Sequence, residues 1–220
     1  MFIGHYGVAF AAATSRKAPA LGTLFVATQL IDFGFFGLML AGVEHMRFVP
    51  GITAMNPMDL YDMPWTHSLA GAAGWSLAFA LLVWLFARNR TAAAIGAAAV
   101  FSHWLIDLIV HRPDLTLAGS APAFGFGLWN HPWLEIPLEL AFAYGGLAFY
   151  ALRTRARGRA GDASLGLLAL AMAGAQWFNW FGPQPARVDS SVAISALAAY
   201  GVLALLAWWV GASRELRAAA

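Results

Sequence analysis

The 220-residue chain contains no cysteine, and only 11% of its residues are charged. The first absence excludes disulfides, thiolate metal sites and cysteine nucleophiles, so any metal site must be built from His, Asp and Glu. The scarcity of charge accompanies a hydrophobic fraction of 60%. A soluble domain of this length cannot bury so much apolar surface, and the composition therefore predicts an integral protein of the lipid bilayer.

Six apolar stretches are each near the twenty or so residues that the hydrocarbon core of a bilayer requires. They run over residues 20–43, 67–87, 91–110, 133–152, 163–181 and 190–210. The opening segment 1–14 is also apolar, but basic residues follow it instead of preceding it, which is the reverse of a signal peptide. The predicted fold class is therefore all-α, a polytopic transmembrane helical bundle with six spans plus a short N-terminal apolar helix.

An arginine-rich segment divides this predicted bundle. Residues 1–152 form the helical bundle that carries the candidate metal ligands, residues 153–162 form a cytoplasmic linker, and residues 163–220 form a two-helix transmembrane tail.

Lys and Arg are distributed unequally between the two ends of the predicted spans. Of 13 such residues, ten lie in segments on one side. By the positive-inside rule that side and the C-terminus are cytoplasmic, and the loops 44–66, 111–131 and 182–189 face outward. Because the arginines are clustered in short connecting segments instead of covering one face, we expect no nucleic-acid partner.

Ionisable side chains within the apolar stretches are the candidate functional residues, because placing them in hydrocarbon costs at least a few kcal/mol each. His103, Asp107 and His111 are spaced by four residues, which puts them on one helical face. His131 and Glu135 repeat that spacing in the next stretch. The full candidate set is His5, Asp32, His67, His103, Asp107, His111, His131 and Glu135.

Depth indicates that this set can form one site. At a rise of about 1.5 Å per residue, the candidates fall in the outer half of a core about 30 Å thick. A mixture of imidazole and carboxylate suits zinc, manganese or iron. The simpler alternative is that each side chain forms a hydrogen bond to a neighbouring helix. His45 is excluded from the set as a solvated residue of the outer loop.

Three motifs resemble the LexA-regulated, membrane-bound predicted metal-dependent hydrolases. They are Leu30-Ile31-Asp32, Trp65-Thr66-His67-Ser68 and Ser102-His103-Trp104-Leu105-Ile106-Asp107. More distantly, the order of the candidate ligands over residues 5–135 resembles the zinc-dependent phospholipase C and S1/P1 nuclease superfamily. Those proteins are all-α enzymes in which three zinc ions cleave phosphate esters.

The resemblance implies a ligand assignment. His67, His103 and Asp107 would hold one ion. His131, Glu135 and His111 would hold a second, and His5 with Asp107 a third. Asp32 would be the catalytic residue that bridges ions or takes a proton. The chain departs from the superfamily pattern at Met1, where soluble members have a Trp whose terminal amine and carbonyl bind metal.

The expected function is a membrane-bound metal-dependent hydrolase with two or three zinc ions, or manganese or iron. It would act on a phospholipid-like phosphate ester at the outer side of a bacterial inner membrane. The alternative is a non-catalytic metal-binding or metal-transport membrane protein. Polar residues are scarce in the cytoplasmic half of the predicted spans, which favours the hydrolase, because a conduit requires polar positions along its whole length.

Overall fold

The described residues of this computed structural model are 1–183 and 187–218. The predicted outer loop 182–189 and the predicted tail 163–220 therefore lie partly outside them. Within the described part, a 3-10 turn at Ile3–His5 precedes the first of eight α-helices. These are α1 (Tyr6–Ala12), α2 (Leu21–Thr28), α3 (Leu30–Leu40), α4 (Leu69–Ala87), α5 (Arg90–Val110), α6 (Pro132–Arg153), α7 (Arg159–Phe181) and α8 (Ser190–Ser213).

The chain is mostly helical, as the fold class predicts, but short β-ribbons outside the helices depart from an all-α fold. Each ribbon is a pair of antiparallel strands. The pairs are β1 (His45–Phe48) with β2 (Met58–Asp62), β3 (Leu115–Thr116) with β4 (Ala123–Phe124), and β5 (Thr154–Ala156) with β6 (Arg214–Leu216). They form where the chain leaves a helix and must satisfy its backbone N–H and C=O groups by pairing.

The prediction of six spans is not supported by the length and apolar composition of the observed helices. Among the described helices, α4, α5 and α8 are long and apolar enough to cross a membrane, and a bent pair, α2 with α3, makes a fourth if it is counted as one span. Helices α6 and α7 have sufficient length, but polar residues lower their mean hydropathy. These are Glu135 and Glu139 in α6, and Gln176 and Asn179 in α7.

The predicted span 20–43 is broken at Gln29, where the axes of α2 and α3 diverge by 57°. Gln29 has φ −108° and ψ 8°, which is outside the helical region. The Thr28 hydroxyl also bonds back to the Phe25 carbonyl at 3.2 Å, a local bond that competes with helix continuation. The interruption places Asp32 in the first turn of α3, where the helix dipole favours a negative charge.

Helices α4 and α5 pack against each other as a hairpin, and the candidate site takes residues from α5 and from the segment just before α4. Ser68 caps α4 by accepting a hydrogen bond from Gly71, and Asn89 caps α5 by accepting from Thr91 and Ala92. The opposite face of α4 is apolar and open, with Phe86 87% exposed. Such a face requires a partner or lipid to cover it.

Helix α1 lies directly against α6 because two glycines meet there. A Cβ on Gly7 would overlap the Phe142 carbonyl, and a Cβ on Gly146 would lie 2.7 Å from the Gly7 backbone. Small residues at such crossings let helix backbones approach closely. The contact fixes the N-terminal segment across the centre of the molecule.

Helices α7 and α8 pack on each other, and α8 also packs along α2 and α3. The β5–β6 ribbon joins the segment after α6 to the segment after α8 and collects arginines at one end of the molecule. Arg155 and Arg157 both bond to Glu215 there. The hydrogen bond from Arg155 is the main cause that lowers the pKa of the half-buried Glu215 carboxyl.

Candidate metal centre

The candidate centre is formed where four separate segments meet. Helix α5 supplies His103 and Asp107 from its buried face, one turn apart. Asp32 comes from the start of α3, His67 precedes the cap of α4, and His5 ends the N-terminal 3-10 turn. All except the partly exposed Asp32 are buried, with exposures of 0–3%.

Asp107 is the carboxylate on which most of these groups converge. Its Oδ2 lies 3.0, 3.7 and 3.8 Å from the Nε2 atoms of His103, His111 and His67. Its Oδ1 lies 3.1 Å from Nε2 of His5 and 2.9 Å from the Met1 amine. The two oxygens therefore face two different groups of ligand atoms.

Asp32 contributes the second carboxylate. Its Oδ1 is 3.3 Å from His67 Nε2 and 3.5 Å from His103 Nε2. Two triads that can hold a metal ion result, His5–His103–Asp107 and Asp32–His67–His103. His103 belongs to both, so the two triads adjoin.

The tautomer of His103 is fixed by its outer partner. Its Nδ1 lies 2.8 Å from the Thr28 carbonyl, and because a carbonyl can only accept, Nδ1 must carry the proton. In neutral His103 the Nε2 atom then carries a lone pair instead of a proton. This lone pair faces carboxylate oxygens of Asp107 and Asp32. Within the described residues this buried Nε2 has no hydrogen-bond partner.

His67 is held in the same way. The Thr66 hydroxyl has one proton, which it donates to the buried Glu44 carboxylate at 2.7 Å. The contact of 2.9 Å between Thr66 Oγ1 and His67 Nδ1 is therefore a hydrogen bond donated by Nδ1. In neutral His67 the Nε2 atom therefore carries a lone pair that faces Asp32.

His111 completes the pattern, since its Nδ1 lies 2.9 Å from Asp114 Oδ1 and donates to that carboxylate. Asp114 also pairs with Arg112, which in turn pairs with Asp59 of β2. Histidines that bind metals commonly donate their other N–H to a carboxylate or carbonyl in this manner.

A shared cation would resolve the electrostatic conflict in this cluster. Imidazole lone pairs that face carboxylates repel each other unless positive charge lies between them. In a tetrahedral zinc site with bonds of about 2.0–2.1 Å, neighbouring ligand atoms are about 3.3 Å apart. The separations of 3.0–3.5 Å around His103 fit this spacing. The residues present can therefore hold a metal ion.

No family model, curated protein or solved structure matches the chain. The ligand assignment therefore depends on the geometry.

Three predicted site residues belong to neither triad. They are His111, whose Nε2 lies 3.7 Å from Asp107 Oδ2, together with His131 and Glu135. His131 is exposed at the start of α6, with its ring 6.4 Å from that of Trp133. Among the described residues it makes no polar contact with the cluster. Glu135 is buried and lines the same cavity as Asp107 and His111, but its Oε2 has no hydrogen-bond partner in the described part of the chain. The structure thus groups the ligands differently from the assignment implied by the resemblance.

Glu139 anchors the N-terminal segment that carries His5. Its Oε1 accepts hydrogen bonds from the backbone N–H groups of Phe2 at 2.6 Å and Gly4 at 3.1 Å. Gln176 of α7 donates to Glu139 Oε2 at 3.1 Å. This arrangement holds His5 beside His103, with the two rings stacked 3.9 Å apart.

The sequence did not single out Tyr200 or Glu44. The Tyr200 hydroxyl, on α8, donates to Asp32 Oδ2 at 3.3 Å. Glu44 is fully buried and also accepts from the backbone N–H groups of Trp65 and Thr66. A tyrosine in an apolar helix and a glutamate in a polar loop are common, so neither position carried a sequence signal.

A cavity of about 430 Å³ opens from the cluster. The ionisable side chains in its wall are Asp32, His67, Asp107, His111, Glu135 and Glu139. The rest is largely aromatic and aliphatic, with Phe35, Phe36, Phe178, Trp180, Val192 and Ala196 in its wall. A mostly apolar pocket with a few convergent polar groups is typical of small-molecule sites.

Proposed function

We propose that the chain is a membrane-bound metal-dependent hydrolase that cleaves a phosphate ester. The observation that supports this most is the orphaned Nε2 of His103, which faces two carboxylates at the end of a cavity. A buried Nε2 that faces two carboxylates requires positive charge beside it, and a bound metal ion would supply that charge.

The expected ions are zinc, with manganese or iron as alternatives. A divalent ion, when bound, lowers the pKa of water from about 15.7 toward 7 and neutralises charge that develops on phosphoryl oxygens. The chain supplies the rest. The residues that would hold the ion through imidazole nitrogens and carboxylate oxygens include His5, His67, His103 and Asp107. Asp32 is 16% exposed at the cavity end, and it is the carboxylate placed to receive a proton from water there.

The cavity favours an ester with an apolar portion. A phosphate at the polar end would have its apolar substituent beside Phe36, Phe178 and Trp180, which lie in the same cavity wall. The walls exclude water and therefore strengthen electrostatic stabilisation of the phosphoryl group. A phospholipid-like ester in the bilayer has a phosphate for the polar end of the cavity and an apolar chain for its aromatic and aliphatic wall.

The proposal includes six spans in a bacterial inner membrane, with a cytoplasmic C-terminus and the site toward the outer face. Support comes from exposed apolar residues on the two helices of lower hydropathy. Leu152 of α6 is 73% exposed and Leu170 of α7 is 71% exposed. The arginines gathered by the β5–β6 ribbon lie at the opposite end of these helices from Glu135 and Asn179.

Single cysteines test this orientation, because the chain has none of its own. Ser120→Cys and Arg159→Cys place thiols in exposed segments at opposite ends. An impermeant maleimide applied to intact cells with a permeable outer layer should label Ser120→Cys alone. Labelling of Arg159→Cys alone would reverse the orientation.

Metal content and turnover test the function. Purified wild-type protein should contain more than one equivalent of transition metal by mass spectrometry and should hydrolyse bis(p-nitrophenyl) phosphate or phospholipid vesicles. His103→Ala should lose both properties, because His103 belongs to both triads. His131→Ala, which alters an exposed residue, should retain both. If His131→Ala loses one equivalent, the ion that the resemblance assigns to His131, Glu135 and His111 is present.

Two results would oppose the proposal. Wild-type protein that remains metal-free after incubation with zinc, manganese or iron would refute the metal centre. Metal-loaded protein that transports zinc into liposomes and hydrolyses neither probe would instead favour the metal-transport alternative.

A further inference from the structure

Tyr200 lies on α8, in the part of the chain beyond the residues that resemble known metalloenzymes. Its ring is buried and packs against three phenylalanines, with centroid distances of 5.6 Å to Phe2, 5.4 Å to Phe33 and 6.1 Å to Phe36. This packing leaves the hydroxyl directed at Asp32, on the wall of the cavity. The ring orientation is therefore set independently of the hydrogen bond.

The two oxygens of Asp32 have separate partners. Oδ1 faces the Nε2 atoms of His67 and His103 at 3.3 and 3.5 Å, and Oδ2 accepts the Tyr200 hydroxyl at 3.3 Å. A carboxylate can only accept, so the tyrosine must be the donor. Without that donor, the carboxylate could rotate about its Cβ–Cγ bond so that both oxygens approach the histidines.

We propose that Tyr200 is a positioning residue for Asp32, which it holds so that Oδ1 alone is presented to the metal centre. This inference rests on the proposed function, because it presupposes that Asp32 takes part in binding metal. It assigns α8 a direct role in the site, in addition to its packing on α2 and α3. Residues of this kind typically change metal affinity or activity by about 10–100-fold when they are removed.

The test compares Tyr200→Phe with Tyr144→Phe. Both substitutions remove one hydroxyl and retain the ring. The Tyr144 hydroxyl donates to the Ala169 carbonyl at 3.1 Å, between α6 and α7 and outside the cavity wall. Each purified variant is titrated with Co²⁺ in competition with a chelator, and the visible absorption bands are recorded at saturation.

Tyr200→Phe should bind the wild-type number of cobalt ions with about 10–100-fold lower affinity for one of them, and with shifted visible bands. Tyr144→Phe should match wild type in both measurements. Identical affinity and bands in Tyr200→Phe and wild type would overturn the inference alone. Equal changes in both variants would also overturn it, because they would show a general loss of helix packing. Wild-type protein that binds no cobalt would refute the proposed function itself.

Discussion

Replacing His103 with alanine should abolish the stabilisation of the protein by zinc. His103 is common to both triads, whereas His5 belongs to one of them and the exposed His131 to neither. A ligand that binds only the folded state stabilises it by RT ln(1 + [L]/Kd), which is about 4 kcal/mol per ion at a free concentration one thousand times Kd. His5→Ala should therefore lose about half of the zinc effect, and His131→Ala none of it.

The expected size is measurable by thermal unfolding. For chains of this length, 1 kcal/mol shifts the unfolding midpoint by roughly 2–4 °C, so each ion should contribute about 8–16 °C at that zinc concentration. The ten tryptophans allow the midpoint to be followed by fluorescence in detergent. Wild-type protein is compared with and without zinc after treatment with a chelator, and each variant is treated identically.

The ordering of the variants is the decisive result. Equal zinc-dependent shifts in wild type and His103→Ala would refute the shared-ligand geometry. A full loss in His131→Ala would refute the separation of that residue from the triads. An unchanged midpoint in wild-type protein with zinc would indicate that the cluster binds no zinc in its folded form.

Two further predictions concern residues around the centre. Gly146→Ala should destabilise the protein by about 1–3 kcal/mol through overlap with Gly7. Gly145→Ala, whose Cβ meets no described atom within 4 Å, should leave the stability unchanged. Chemical denaturation in detergent measures the difference in unfolding free energy. Thr66→Val should lower zinc affinity about 10–100-fold because it removes the acceptor of His67 Nδ1, whereas Thr66→Ser should preserve the affinity in a chelator competition.

The central ligands could be found from sequence because they are ionisable residues in apolar segments. Asp32, His67, His103 and Asp107 would each be costly in lipid unless a partner compensated. His131 was grouped with Glu135 by helical spacing, but it precedes Pro132. The helical region is sterically disfavoured for a residue before proline, and His131 has φ −128° and ψ 70°. Its side chain therefore does not follow the face of α6.

Partners from distant segments could not be predicted. Tyr200 reaches Asp32 across 168 positions of the chain, and Gln176 reaches Glu139 from another helix. Spacing along one helix carries no information on such pairs. The break at Gln29 could not be predicted either, because residues 20–43 are apolar on average and hydropathy does not report the backbone geometry that separates α2 from α3.

That break has a chemical consequence. In an uninterrupted helix the carbonyl of residue 28 would accept from the amide four positions later. Here it is available to His103, so a gap in one helix selects which nitrogen of an imidazole on another is protonated. A substitution that straightened the chain at Gln29 would withdraw that acceptor and allow the His103 ring to adopt the other tautomer. Nε2 of His103 would then be a hydrogen-bond donor instead of a metal-binding atom, although no ligand residue had been changed.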